Sequence, residues 1–183
     1  MSSDYKSSKL WQKSGVKTNP AVHDYIISKN LEADNTLVPF DIQGSKAHTA
    51  MLQSIGLLTE KEGNDIIEKL DEILKLHKSG EFKIREENED IHTEIENYLV
   101  QELGDIGKRI HVGRSRNDQI LTDMRLFSKA EIKRAQKELL KTAETLLEFA
   151  RENEFVPLPG FTHMQYAMPS SFGQWSGAFI ESL

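Results

Sequence analysis

Two arginines lie just before the start of a long predicted helix, within residues 111–118. The N-terminus of a helix already carries partial positive charge, so Arg114 and Arg116 are unfavourable there for folding alone. They become favourable if an anion binds, because guanidinium groups and free backbone N–H groups donate to carboxylates and phosphates. Ser115 and Asn117 add polar side chains to the same loop. In this interpretation, the segment is an anion-binding helix start.

The same loop has a second interpretation that needs no ligand. In it, Arg114 and Arg116 pair with Asp118 or Asp105, and the loop only caps the helix. The residues alone favour neither interpretation.

A histidine follows a Pro-Gly turn in residues 159–165. This turn would place Thr162 and His163 at the end of a loop between two helices. Histidine titrates near neutrality and can give or take a proton. A lone histidine is more often structural, and Thr162 and Gln165 favour a catalytic role only slightly, through the hydrogen bonds they offer.

Residues 89–96 combine a histidine with several acidic side chains. His92 and Glu96 are one helical turn apart, and Glu89 precedes His92 by three residues, so a metal site is conceivable. Two or three ligands without a thiolate make a weak metal signal, and an acidic helix start favoured by the helix dipole is preferred. In a third interpretation, His92 and Thr93 face a substrate.

The elements that position these segments are predicted to be helices. Thr59 and Glu62 have the form of a capping box, which marks a helix start, and Ser79 with Gly80 ends that helix. Glycines at 104, 107 and 113 indicate a long connecting loop. Three helices are predicted before the loop that carries Arg114 and Arg116. The first begins at Asp41, the second begins at Thr59, and the third covers residues 89–103.

Residues 118–153 contain neither Gly nor Pro and carry one apolar stripe. A helix of about 35 residues would extend about 50 Å. That is longer than a small globular domain buries, so it indicates a helical bundle or the core of an oligomer. A turn is predicted at Pro157 to Gly160, and a last helix begins near Pro169. Its apolar stripe runs uncapped to Leu183, so we expect the natural chain to continue.

The composition of the 183 residues, with 38% hydrophobic and 28% charged side chains, is typical of a globular protein. A net charge of −6 argues against nucleic-acid binding. The absence of cysteine excludes disulfides and thiolate metal sites and fits a cytoplasmic location. No apolar run is long enough for a membrane span, and the polar N-terminus lacks the pattern of a secretory signal.

Four strings closely resemble those of argininosuccinate lyases, a family of the fumarase/aspartase superfamily. They are DIQGSKA from Asp41, EDIHTEIE from Glu89, HVGRSRNDQ from His111 and PGFTHMQ from Pro159. The resemblance runs in order from about Leu10 to Leu183. The third string is highly specific, whereas the fourth has Phe161 and Met164 where Tyr and Leu are usual.

The resemblance implies an all-α fold, with an N-terminal helical domain at 1–112 and the start of a central long-helix bundle at 113–183. It implies a reaction that splits argininosuccinate into arginine and fumarate, without cofactor or metal. It also implies a homotetramer whose active sites combine several subunits. Neither nucleic acid nor a membrane is an expected partner.

By matching position, the resemblance implies that His163 is a general acid/base and that Asn117 and Thr162 bind substrate. Further residues implied to line the pocket are Ser115, Arg116 and His92. Where the family has a substrate-binding serine, this sequence has Asn30, with Ser28 two residues away.

The family's catalytic serine lies on a later flexible loop that does not occur in these 183 residues. We therefore expect this segment alone to be inactive. The alternatives are another fumarate-forming lyase, acting on adenylosuccinate, aspartate or malate, and a non-catalytic, crystallin-like structural protein of the same fold.

Overall fold

The computed structural model describes Tyr25, residues 31–85, Asn88 and residues 90–183. In chain order the elements are helices α1 (Leu31–Ser54), α2 (Glu60–Ser79) and α3 (Ile91–Leu103), a 3-10 helix (Gly104–His111), helix α4 (Arg116–Glu152), strands β1 (Pro157–Thr162) and β2 (Gln165–Ser171), and helix α5 (Phe172–Ile180). The prediction of an all-α fold is confirmed, since helices dominate and the described sheet has two strands.

Helix α1 begins ten residues earlier than the apolar pattern predicted, at Leu31 instead of Asp41. Pro39 lies inside it. Proline lacks an N–H donor and usually interrupts a helix, and the apolar repeat becomes regular only beyond it. Val38 and Ile42 on either side are buried, so this part of α1 is stabilised by packing against the core.

Helix α2 begins and ends as predicted. Glu62 Oε2 accepts a hydrogen bond from the Thr59 backbone N–H at 2.8 Å, and the Glu62 N–H donates to Thr59 Oγ1 at 3.2 Å. Gly80 ends the helix with φ 80°, a left-handed conformation that favours glycine. The apolar side of α2 supplies Ile66, Leu70 and Ile73 to a core shared with α1 and α3.

The predicted loop after α3 is instead a 3-10 helix. Gly107 permits a close approach to α3, because a Cβ at this position would lie 2.5 Å from the Leu99 carbonyl oxygen. Ile110 is fully buried, so the 3-10 helix belongs to the core. The prediction was wrong because one of the glycines that suggested a loop, Gly107, instead allows the 3-10 helix to pack closely against α3.

The last predicted helix forms, although it starts a few residues beyond Pro169, whereas the turn predicted at Pro157 to Gly160 is wrong. Residues 157–171 form an antiparallel hairpin, in which Thr162 pairs with Gln165 and Phe161 with Tyr166. The register is irregular between Pro159 and Phe161. Helix α5 begins only at Phe172, where Ser171 Oγ accepts from the Gln174 N–H at 3.1 Å. The prolines that suggested a turn are accommodated in a two-stranded sheet, where both strands are edges.

The long helix is confirmed as α4, which has 37 residues. The described residues up to Phe127 form one compact unit and Ser128–Leu183 form a second, so the boundary lies inside α4. The domain boundary expected between residues 112 and 113 stays a prediction. Among the described helices, none combines the length and apolar character needed to cross a membrane.

Candidate active site at the start of helix α4

Ser115 caps the start of α4. Its hydroxyl donates to Asp118 Oδ2 at 2.9 Å, and the Asp118 N–H donates back to Ser115 Oγ at 3.3 Å. The Ser115 N–H also donates to Asp118 Oδ2 at 2.8 Å, and these hydrogen bonds hold the pKa of the Asp118 carboxyl below its usual value. Asp118 is thus engaged by Ser115, and Asp105 by Lys108 at 2.7 Å. The arginine pairs expected in the capping-loop interpretation are not the ones the structure forms.

Arg116 is held by the start of helix α3. Its Nε lies 3.1 Å from Asp90 Oδ2, and its Nη2 donates to Thr93 Oγ1 at 3.1 Å. Asp90 in turn caps α3, because its Oδ1 accepts from the Thr93 N–H at 2.8 Å. A guanidinium has five N–H donors, and these two contacts leave others without a hydrogen-bond partner among the described residues. The half-buried Arg116 is therefore both fixed in place and able to bind an anion.

Arg114 has a different environment and ties the loop to the core. Its Nη2 donates to Ser45 Oγ of α1 at 3.3 Å and to the Ile110 carbonyl at 3.2 Å. Burial lowers the pKa of this guanidinium, and the nearby Asp41 and Asp123 carboxylates oppose that effect. Of the two arginines that suggested an anion site, Arg116 is consequently the better candidate.

His92 is buried between two aspartates. Its Nδ1 lies 3.1 Å from Asp41 Oδ1 and its Nε2 lies 3.9 Å from Asp123 Oδ2, and all three residues are only 1% exposed. One donor atom from each lies within 4.8 Å of the others, so these three could hold a metal ion. The adjacent positive charge of Arg114 opposes cation binding. The expectation of no metal stays a prediction.

The local spacing of residues 89–96 suggested that His92 and Glu96 share a site, but Glu96 faces a different histidine. Its Oε2 lies 3.5 Å from His111 Nε2, while His111 Nδ1 accepts from the Gln119 amide at 3.1 Å. Burial lowers the pKa of His111 to about 4, so its imidazole is neutral near pH 7. Burial also raises the pKa of Glu96. Glu89 lies outside the described residues.

Thr162 and His163 belong to the second compact unit, at the turn of the hairpin, and both are exposed. His163 has φ 49° and Met164 has φ 61°. Two consecutive left-handed residues are typical of a two-residue hairpin turn. His163 therefore lies between two strands, whereas the sequence suggested a loop between two helices.

The first unit brings together the segments at 41–47, 90–96 and 111–118. Ser115, Arg116 and the exposed Asn117 lie at the start of α4, beside the start of α3 that carries His92. The predicted substrate contact at Asn30, with its neighbour Ser28, falls outside the described residues. Asp41 and Asp123 were missed as site residues, since partners far apart in sequence give no local signal.

A protein-family profile described as "Lyase" matches residues 14–183. The chain belongs to this lyase family. It is similar to the argininosuccinate lyases of Phocaeicola vulgatus, with 43% identity over 175 residues, and of Thermotoga neapolitana, with 41% over 177. The matches cover 96% and 97% of this chain but 39% and 44% of the relatives, so the chain spans about two-fifths of their length.

Solved lyase structures share the fold. An EDDS lyase in complex with formate aligns with a TM-score of 0.68 and 21% identity, over 91% of this chain and 33% of that protein. A fumarate lyase from a Mesorhizobium species aligns with a TM-score of 0.64 and 18% identity, over 86% of this chain and 38% of that protein. At such identities the likeness concerns the fold alone.

Proposed function

We propose that the whole protein is an argininosuccinate lyase, which splits argininosuccinate into arginine and fumarate. The observation that carries this proposal is the convergence of three motif strings at the start of α4. EDIHTEIE supplies Asp90 and Thr93, which hold the Arg116 guanidinium, and HVGRSRNDQ supplies Arg116 with Ser115 and Asn117. DIQGSKA supplies Asp41 and Ser45, which contact His92 and Arg114. The names of the similar curated proteins support the same substrate.

The chemistry explains why a cationic helix start is useful. A base removes a proton from the carbon next to one carboxylate of the substrate. The electron pair left behind forms the C=C bond of fumarate as the C–N bond breaks, and an acid returns a proton to the departing guanidino nitrogen. Negative charge builds up on the carboxylate in the intermediate. Donors fixed in advance around that charge, here Arg116 and the N-terminus of α4, lower its free energy.

His163 is the proposed general acid/base, and Thr162 beside it is a proposed substrate ligand. A hairpin tip presents both side chains to solvent, where a substrate can reach them. Asn117, exposed at the start of α4, is proposed to bind a substrate carboxylate, and His92 and Asn30 are proposed to line the pocket. We further propose a homotetramer in the cytoplasm, in which subunits share active sites, and the domain division at 112/113.

The test is a comparison of substrates with the full-length protein. Fumarate formation is followed by ultraviolet absorbance with argininosuccinate, adenylosuccinate, malate and aspartate under the same conditions. Turnover of argininosuccinate well above the others supports the proposal. A preference for another substrate assigns a different lyase activity, and a folded protein without turnover on any of them indicates the crystallin-like alternative.

A further inference from the structure

A buried cluster links three helices beneath the loop that carries Arg116. Asp41 comes from α1, His92 from α3 and Asp123 from α4, and all three are 1% exposed. Burying two carboxylates side by side is costly, because the low dielectric of the interior strengthens their repulsion and removes their hydration. The protonation states of the three side chains must therefore reduce this repulsion, and the sequence alone does not reveal which of the groups carry a charge.

The hydrogen bonds of the cluster leave two acceptor atoms without a donor. His92 Nδ1 contacts Asp41 Oδ1 at 3.1 Å, and since a carboxylate oxygen only accepts, this ring nitrogen carries the hydrogen. Asp41 Oδ2 and Asp123 Oδ2 are buried without a hydrogen-bond partner. His92 Nε2 lies 3.9 Å from Asp123 Oδ2, which is too long for a hydrogen bond. A proton on Asp123 that is donated to Asp41 satisfies both carboxyl groups.

The surrounding charges fit this arrangement. Burial first, and then the charge of Asp41 and a hydrogen bond with it, raise the pKa of Asp123 from 3.8 to about 7, against the opposing effects of His92 and Arg114. Arg114 faces both aspartates from the loop before α4. A neutral Asp123 leaves the charge of Asp41 balanced by Arg114.

Two further titratable groups face His92 or Asp41. Asp34 of α1 interacts with His92, and burial raises the pKa of this carboxyl. His111 of the 3-10 helix interacts with Asp41, but its pKa of about 4 keeps it neutral near pH 7. Neither group supplies the donor that Asp41 Oδ2 and Asp123 Oδ2 lack.

We propose that Asp41 and Asp123 are positioning residues, in which Asp123 acts as a neutral carboxylic acid that donates to Asp41 and Asp41 fixes His92 with its hydrogen on Nδ1. His92 is the second residue of α3, between Asp90 and Thr93, the two residues that hold Arg116. The cluster thus sets where the Arg116 guanidinium lies. The Nε2 atom of His92 is left as a hydrogen-bond acceptor. The consequence for catalysis rests on the proposed function, but the protonation of the cluster does not.

The first test compares thermal unfolding of the full chain and of Asp123→Asn between pH 5 and pH 8. An asparagine keeps an N–H donor toward Asp41 but cannot ionise. A carboxyl whose folded pKa is raised contributes stability at acid pH that is lost as pH rises toward that pKa, here about 7. We therefore expect the melting temperature of Asp123→Asn relative to wild type to rise with pH and to level off above about pH 7. An Asp123→Asn protein that is less stable than wild type at pH 8 overturns the proposal.

A second measurement reads the state of His92 directly. Nitrogen-15 NMR of labelled histidine should show Nδ1 protonated and Nε2 unprotonated for His92, in wild type and in Asp123→Asn alike, with His92→Gln identifying the signal. The opposite tautomer overturns the proposal. Titration with Zn²⁺ or Mn²⁺ alone should leave the signal and the melting temperature unchanged. Stoichiometric binding that Asp123→Asn abolishes would replace the proposal with a metal site.

The third measurement concerns the reaction. In the full-length protein, Asp123→Leu, which removes the donor but keeps the branched shape of the side chain, should raise KM at least tenfold with a smaller change in kcat, because Arg116 loses its fixed position. Asp123→Asn should restore KM to within about threefold of wild type. If Asp123→Asn is as impaired as Asp123→Leu, Asp123 does not act as a neutral donor. If the wild type has no lyase activity, the proposed function fails, and unfolding and NMR still decide the cluster.

Discussion

Replacing Arg116 with alanine should damage substrate binding far more than folding. In the folded chain Arg116 contacts Asp90 and Thr93, and the Arg116 and Asp90 side chains are 23% and 19% exposed. A partly exposed ion pair of this kind contributes about 1 kcal/mol or less. For a chain of about 150–250 residues, that corresponds to a fall in melting temperature of about 2–4 °C or less, and the fall is smaller in a longer protein.

The expected loss in substrate binding is larger. A fork of two charge-assisted hydrogen bonds to a carboxylate, each about 1.5–3 kcal/mol, would contribute about 3–6 kcal/mol in a desolvated pocket. Its removal should lower kcat/KM for argininosuccinate by roughly 10²- to 10⁴-fold. Arg116→Lys keeps the charge but loses the fork, so it should recover only part of this loss.

The assay measures kcat/KM by fumarate formation and thermal unfolding by circular dichroism on the same preparations of full-length protein. Arg125→Ala, at an exposed arginine in the next turns of α4, is the matched control and should change neither quantity substantially. An Arg116→Ala protein that is strongly destabilised yet keeps normal kcat/KM would refute the reasoning and return the loop to a purely structural role.

Three further predictions concern other parts of the chain. His163→Asn should lower kcat of the full-length protein at least ~10²-fold while the hairpin stays folded, because asparagine tolerates the left-handed φ of 49° but cannot exchange protons; an unaffected kcat contradicts the assignment. Gly107→Ala should destabilise the chain by about 1–3 kcal/mol in urea unfolding, because the added Cβ would lie 2.5 Å from the Leu99 carbonyl oxygen. Gly177→Ala is the control and should not destabilise the chain, because nothing lies within 4 Å of a Cβ at that position. Equal effects of the two substitutions would show that the close approach at Gly107 is unimportant. The purified 183-residue chain should form no fumarate, because it lacks the loop on which the family has its catalytic serine. It should self-associate in size-exclusion chromatography, because Trp175, Phe179 and Leu183 are each about half exposed. Turnover or a stable monomer would contradict these predictions.

The sequence predicted those parts of the fold that depend on neighbouring residues. The capping box at Thr59 and Glu62 forms as expected, and the long run without Gly or Pro becomes α4. Both signals act within one or two helical turns, so they survive in any tertiary setting. The hairpin was missed because strand pairing depends on residues that are not adjacent, and its prolines suggested a turn.

In the candidate site as well, the sequence identified the residues that have a local signal and missed those that depend on contacts distant in sequence. Arg116, Ser115 and Asn117 were identified from the charge pattern at a helix start, which is local. The contact between Asp41 and His92 joins residues 51 positions apart, and nothing in either neighbourhood indicates it. The charge pattern alone could not separate the two arginines, and only the resemblance named Arg116 and not Arg114. In the structure, packing turns Arg114 toward Ser45 and leaves Arg116 available to a ligand.

The most direct test of the central claim is a crystal structure of full-length His163→Asn with argininosuccinate bound. We expect a substrate carboxylate within about 3 Å of the Arg116 guanidinium and the Asn117 side chain, the usual distance of a charge-assisted hydrogen bond. Arg116 should keep its contacts to Asp90 and Thr93 in the complex. Substrate bound elsewhere, with Arg116 contacting only Asp90 and Thr93, would contradict the assignment of the start of α4 as the active site.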